Sequence, residues 1–243
     1  MISAKNEQKY MIEVNDLTKR LRKSYILKNI SFRVPVGSVC AFVGHNGAGK
    51  TTTIRTILGL YRCNQGQVRI KGVDVKKVVN VHEWIGYIPE KENFSKIKSK
   101  RFLLNMASFY NIDKNDIQKK IIEYANIFDF VPNLNRKLTS LSSGQKKKVL
   151  IMQAFIHEPK LIIADEPTEN LDPDTREIFY RLVKRAQKNG QTVFISTHNL
   201  DEIRNHIDYV VIIAKGRIRY SRAIHKGIDL HRIYNRFKPK VQI

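Results

Sequence analysis

The chain has 243 residues, 42% hydrophobic and 27% charged, and carries 44 Lys and Arg against 22 Asp and Glu, a formal net charge of +22. This is the composition of one globular domain, or of a large domain with a small inserted one, and it excludes a disordered chain. Two isolated cysteines (Cys40 and Cys63), no apolar run near the ~20 residues of a membrane-spanning helix, and an N-terminus without a signal-peptide core leave a soluble, reduced, cytosolic chain as the expectation.

In chain order, residues 1–10 read as a polar leader, and patterned sequence begins at Met11. Ile30–Val34 and Val39–Val43 read as strands, the second continuously apolar as in a central parallel strand. Gly44 to Lys50 is a turn and Thr51–Tyr61 the helix after it; Gln67–Ile70 is a strand closed by the Lys71-Gly72 turn. The segment Ile85-Gly86-Tyr87-Ile88-Pro89 reads as a turn. Helical periodicity then fills Phe102–Tyr110, Asp116–Phe130 and Gly144–His157, an inserted helical subdomain over about 94–158. Strands return at Leu161–Ala164, Thr192–Ile195 and Tyr209–Ile213, with helices at Thr175–Lys188 and Asp201–His206. Alternating strands and helices imply an α/β fold with a parallel sheet. The charge is scattered, with runs at Lys146-Lys147-Lys148 and in a basic tail over 221–243; solvated surface is its first reading and a polyanionic partner its second. A cytoplasmic membrane face would also attract it.

Two motifs carry chemistry. Gly44-His45-Asn46-Gly47-Ala48-Gly49-Lys50-Thr51 fits G-x-x-x-x-G-K-[ST] between a buried strand and a helix, the context in which that pattern builds a phosphate-binding loop. Its glycines let backbone N–H groups turn inward, and the helix adds its positive end. Lys50 would reach the β- and γ-phosphates and the Thr51 hydroxyl would hold Mg²⁺. Leu161-Ile162-Ile163-Ala164 then delivers Asp165 and Glu166 at the ligand-binding end of a strand. Asp165 is expected to bind Mg²⁺ and Glu166 to orient and deprotonate the attacking water.

The stretch Leu141-Ser142-Ser143-Gly144-Gln145 resembles the L-S-G-G-Q signature of the ATP-binding cassette (ABC) ATPases. Gly72, Ile85–Pro89, Asn170-Leu171-Asp172-Pro173 and Ser196-Thr197-His198 follow the same family's order, so the resemblance covers roughly Met11 to Ile218. It implies a P-loop NTPase core with a parallel sheet, an antiparallel β subdomain and an inserted α-helical subdomain, over about 11–220. It implies that ATP is held by Gly44, His45, Asn46, Gly47, Ala48, Gly49, Lys50, Thr51 and Thr52, with Tyr25 and Leu21 toward the base. Thr51, Asp165 and Glu90 would hold Mg²⁺. Ser142, Ser143, Gly144 and Gln145, at a helix N-terminus, would bind the γ-phosphate on a second subunit. His198 would contact the γ-phosphate, and Asp172 would lie at the dimer seam.

The sequence departs from the pattern at four places: Ser143 for the first signature glycine, Glu90 for a glutamine, Leu21 for an adenine-stacking aromatic, and Glu169-Asn170 for smaller residues before Leu171-Asp172. Ser143 is expected to be tolerated with lowered activity, Tyr25 to replace the missing aromatic, and the seam to be more charged. Glu90 after Tyr-Ile-Pro resembles the branch exporting drugs and peptides. The implied function is therefore the ATP-hydrolysing subunit of an ABC transporter. It would pair head-to-tail with a like or sister subunit, drive separate polytopic membrane permease subunits from the inner face of the membrane, and favour export. A nucleic-acid-linked ABC ATPase and a nucleotide-holding module without turnover are the alternatives; the lack of an RNA-binding insert counts against the first, and retention of Lys50, Asp165, Glu166 and His198 against the second.

Overall fold

The computed structural model describes residues 9–77, 81–91, 94–110, 112–225 and 228–237. Residues 1–8 of the expected leader, and 226–227 and 238–243 of the expected tail, lie outside the described residues. The chain forms two compact units, one of residues 1–81 and 196–243 and the other of residues 82–195.

The first unit opens with β1 (Tyr10–Leu21) and β2 (Ser24–Pro35), an antiparallel hairpin turning at Arg22-Lys23. With β4 (Gln65–Ile70) and β5 (Val73–Asp74) they form a four-stranded antiparallel sheet of order β2-β1-β4-β5. Alternation sets its buried face: Ile12 and Val14 pair with Val34 and Phe32 on one side and with Ile70 and Val68 on the other, and all six are buried. β3 (Val39–Val43) is wholly apolar and wholly buried, because it is covered on both faces. It runs parallel to β9 (Tyr209–Ala214), and β10 (Arg217–Ala223) adds antiparallel to β9. Phe32 stacks on Phe42 with ring centroids 5.5 Å apart, so the antiparallel sheet packs on the parallel strands. α1 (Lys50–Ile57) follows the phosphate loop, α6 (Leu200–Ile203) follows His198, and α7 (Leu230–Asn235) lies in the expected tail.

In the second unit β6 (Ile85–Ile88) pairs parallel with β7 (Leu161–Asp165), which β8 (Thr192–Thr197) flanks before carrying the chain back to the first unit. The segment expected as a turn at Ile85–Pro89 is thus a strand. Gly86 and Pro89 are turn residues by type, but here the glycine answers a packing need. A Cβ on Gly86 would lie 2.0 Å from the Ala154 carbonyl oxygen, so only glycine lets the helix lie against the strand.

That helix is α4 (Ser143–Phe155); α2 (Ser99–Ala107) and α3 (Lys114–Ile127) pack beside it. α5 (Pro173–Lys188) buries Phe179, Leu182, Val183 and Ala186 at helical spacing and places Phe179 edge-on to Phe155 of α4. Each unit therefore has its own apolar core, and the observed architecture is the expected α/β arrangement with an additional antiparallel sheet.

Among the described residues no helix is long and apolar enough to cross a membrane. Just past α4, His157 stacks on Tyr110 with centroids 3.6 Å apart and bonds the Ile85 carbonyl at 3.2 Å. Burial, with a smaller push from the Lys120 charge, lowers its pKa to about 4 against the bonds from Ile85 and Gln153. Above pH 6.5 both folded and unfolded chains keep this imidazole neutral. Below that pH the unfolded chain takes a proton that the folded one refuses, so stability falls until about pH 4 is passed. The expected loss is up to about 3 kcal/mol. Denaturant unfolding of the wild type and of H157Q across this range measures it: the pH slope of H157Q should be the shallower, and equal slopes would contradict the assignment.

Candidate functional site

The predicted residues divide between the units: the phosphate loop, Leu21, Tyr25 and His198 in the first, and Glu90, the signature, Asp165, Glu166 and Asp172 in the second.

In the first unit, β3 delivers the chain to Gly44, whose N–H donates to the Thr197 carbonyl at 3.2 Å. This bond ties the start of the loop to the residue before His198, which is exposed. Gly49 has φ +112, and a Cβ there would fall 2.8 Å from Leu27 Cδ2, so both backbone angle and space demand glycine. The turn leads straight into α1, whose first residue is Lys50. The Lys50 ammonium curls back over the loop and donates to the carbonyls of Gly44 at 2.7 Å and His45 at 3.3 Å. Asn46 and Gly47 are exposed beside it.

β2 supports the loop from beneath: the Ile26 carbonyl lies 3.5 Å from where a Gly49 Cβ would sit. Tyr25, one residue earlier, is 55% exposed with the Arg20 guanidinium 5.6 Å from its ring centre, and Leu21 lies at the hairpin end. An aromatic surface is therefore available where the pattern lacks one at Leu21. Gly216, which the sequence did not flag, donates to the Ala48 carbonyl at 3.1 Å and accepts from Lys28 N–H at 2.8 Å. It joins the β9–β10 turn to the loop and to β2.

In the second unit, β7 ends at Asp165, fully buried, and Glu166 follows, 8% exposed, with φ +47. A left-handed backbone at a non-glycine residue is uncommon and marks a turn that its surroundings impose. The signature caps α4. Ser142 is the N-cap: its hydroxyl accepts from Gln145 N–H at 3.2 Å, and the Gln145 side-chain oxygen accepts from Ser142 N–H at 3.1 Å. Ser143 occupies the first helical turn, exposed and with no positive φ, so serine meets no backbone obstacle there. Gly144 has no such latitude, since a Cβ would approach the Asn170 carbonyl to 2.9 Å. The departure from the signature falls on the tolerant position of the pair.

Asp172 has a local duty that the sequence reading missed. It caps α5, accepting from Thr175 N–H and Thr175 Oγ1, each at 2.8 Å, and these bonds hold its carboxyl below the usual range. The Asp-x-x-Thr spacing before a helix was the signal. Glu90 follows β6, half-buried, with Lys91 Nζ 3.4 Å from its carboxylate.

Lys147 corrects the reading of Lys146-Lys147-Lys148 as solvated charge. It is 4% exposed, and its ammonium donates to three carbonyls: Glu90 at 2.9 Å, Pro89 at 3.1 Å and Glu166 at 3.3 Å. Burial lowers its pKa, while the charges of Glu169, Asp165, Glu90 and Glu166 pull it back up. Within this unit the structure thus brings together the signature helix, Glu90 and Glu166. Among the described residues no cluster of three His, Cys, Asp or Glu side chains could hold a metal by itself. In this unit Asp165 and Glu90 offer carboxylates and in the first unit Thr51 offers a hydroxyl, each a hard oxygen donor of the kind that suits Mg²⁺.

Comparison with known proteins shows the family. The family model described as ABC transporter matches residues 27–169. A Mycoplasma pneumoniae protein provisionally named an ABC transporter ATP-binding protein is 36% identical over 216 residues, covering 87% of this chain and 66% of that one. The chain thus spans about two thirds of that relative's length. The methionine import ATP-binding protein MetN of Clostridium acetobutylicum is 30% identical over 218 residues, covering 86% of this chain and 68% of that one. A solved structure of an ATP-binding subunit of an ABC transporter superposes with a TM-score of 0.88 at 27% identity, covering 93% of this chain and 99% of that one. The chain belongs to the ATP-binding subunits of ABC transporters, a family of ATPases.

Proposed function

We propose that this chain hydrolyses ATP as one of a head-to-tail pair, with a second copy or a sister subunit, and so drives transport through separate membrane subunits. The observation that carries the reading is the loop at Gly44–Thr51, closed over by Lys50 and bonded to Thr197 beside His198. In this reading loop amides and Lys50 hold the β- and γ-phosphates, with Tyr25 and Leu21 toward the base. Thr51, Asp165 and Glu90 would hold Mg²⁺, which would supply positive charge beside the phosphates. Glu166 orients the attacking water and accepts its proton, and His198 contacts the γ-phosphate. The partner's helix end at Ser142, Ser143, Gly144 and Gln145 closes over the same nucleotide, with Asp172 at the seam. A loop held by its own hydrogen bonds keeps reorganisation small at the moment of reaction.

The membrane subunits would dock on the helices of the second unit. A cavity of about 900 Å³ lies there, lined by Leu104, Phe109, Tyr110 and Ile117 among others, and Phe109 is 74% exposed. Lys100, Arg101, Asn105 and Gln118 line it too, and a hollow of mixed character with an exposed aromatic fits a short amphipathic helix from a membrane protein. In this reading the chain works at the cytoplasmic face of the membrane. Export is the direction we propose, on the carboxylate at Glu90, although the methionine relative is named for import. Co-purification tests the assignment: a tagged chain extracted in mild detergent should bring a polytopic membrane polypeptide with it, and F109A should weaken the association. Isolation of the tagged chain without any membrane polypeptide would contradict the transport reading.

A further inference from the structure

We propose that Lys147 is a positioning residue for ATP hydrolysis, its ammonium locking the backbone at Glu166 and at the end of β6 to the signature helix so that Glu166 is held for attack. The inference rests on the proposed role of Glu166 as base and adds a residue that holds it.

An ammonium has three donors and no acceptor. The Lys147 ammonium donates to three backbone carbonyls, two just past the end of β6 and one at the residue after β7. Burying a lysine is unfavourable unless its donors are satisfied, so this placement is a commitment of the fold rather than a surface accident. The acceptors are backbone atoms, so the bonds fix where the chain runs. Glu166 is the residue that most needs this, because its left-handed φ of +47 orients the carboxylate through a turn that side-chain packing alone would hold poorly. One further backbone bond, from Glu169 N–H at 3.3 Å, reaches the same Glu166 carbonyl.

Lys147 is not the only link between α4 and β6. Gln153 Nε2 donates to the Tyr87 carbonyl and His157 Nε2 bonds the Ile85 carbonyl. Together with Pro89, these are the alternate carbonyls along one edge of the strand, as its period of two requires. Gln153 and His157 end there; Lys147 alone of the three extends to Glu166. Lys147 lies five residues beyond the signature N-cap Ser142, so a shift of the β6 end, of the signature helix or of the Glu166 turn is felt by the other two.

The test uses the full chain and compares kcat, KM for ATP and thermal midpoint for the wild type, K147M and K147Q. K147M keeps length and removes every donor; K147Q keeps a shorter amide donor. The expected result is a kcat about tenfold or more lower in K147M, with KM within about threefold of wild type, and an intermediate kcat in K147Q. Single-turnover rates in an E166Q background give a second readout. Because Lys147 acts through Glu166, adding K147M there should lower the rate by less than about twofold. A kcat within about twofold of wild type in folded K147M would overturn the proposal. So would full multiplication of the two losses, or a rise in KM that tracks a fallen thermal midpoint. Should K147M not fold, K147Q carries the same comparison, and a wild-type kcat in it overturns the proposal. A wild-type rate in E166Q alone would instead remove Glu166 as the base, a failure distinct from that of Lys147.

Discussion

Replacing Glu166 by Gln leaves ATP bound and lowers turnover by about two to four orders of magnitude, the usual contribution of a positioned general base. The amide keeps the shape of the carboxylate but accepts no proton from water. Its backbone need not change, because the Glu166 carbonyl, not the side chain, takes the bonds from Lys147 and Glu169. The variant should therefore fold with an unchanged thermal midpoint. Trapped ATP should also accumulate a paired form, since the step that separates the subunits is withheld. Phosphate release, radiolabelled-ATP retention and light scattering with nucleotide measure the three quantities. Turnover within a few-fold of wild type would remove Glu166 from its assigned role, and loss of ATP retention would point to a binding role instead.

Replacing Lys50 by Met is expected to weaken ATP binding by about a hundredfold or more and to abolish measurable turnover. Each charge-assisted hydrogen bond lost is worth about 1.5–3 kcal/mol, and a factor of ten in affinity takes about 1.4 kcal/mol. Lys50 also braces the loop, through the Gly44 and His45 carbonyls. Removing it leaves the buried end of the loop without these donors, so a lowered thermal midpoint should accompany the loss of affinity. Titration with a fluorescent ATP analogue separates the two effects. An affinity within a few-fold of wild type would show that backbone amides alone hold the triphosphate.

The elements that were legible in the sequence are those whose chemistry is local. The phosphate loop is specified by consecutive residues, and β3, β7 and β9 are uniform apolar runs that any sheet core would bury. β6 was misread because its signal was not in β6: Gly86 suggests a turn until the Ala154 carbonyl occupies the space where its Cβ would be. α7 and the last residues of β10, 221–223, were folded into a basic tail, although Arg217, Arg219 and Arg222 with Ile218 and Tyr220 between them already hint at a strand after a Lys-Gly turn. There the charge count outweighed the period.

Lys147 shows the same conflict most sharply. Three lysines in a row look solvated, yet residues three, four and seven positions on are Leu150, Ile151 and Ala154, all buried on that side of α4. Helical phase predicted burial, and residue type predicted the opposite. The bonds to three carbonyls explain why phase prevailed.

The coverage of β6 has a bearing on how the chain is made. Its pairing neighbour β7 ends at Asp165, and the helix whose side chains bond its other edge begins at Ser143, so a ribosome finishes β6 well before either cover exists. At about 5–20 residues per second, several seconds pass with this short strand open on both sides. Such an interval invites strand-to-strand association between nascent chains, and chaperone capture would be most useful there, before β7 has emerged.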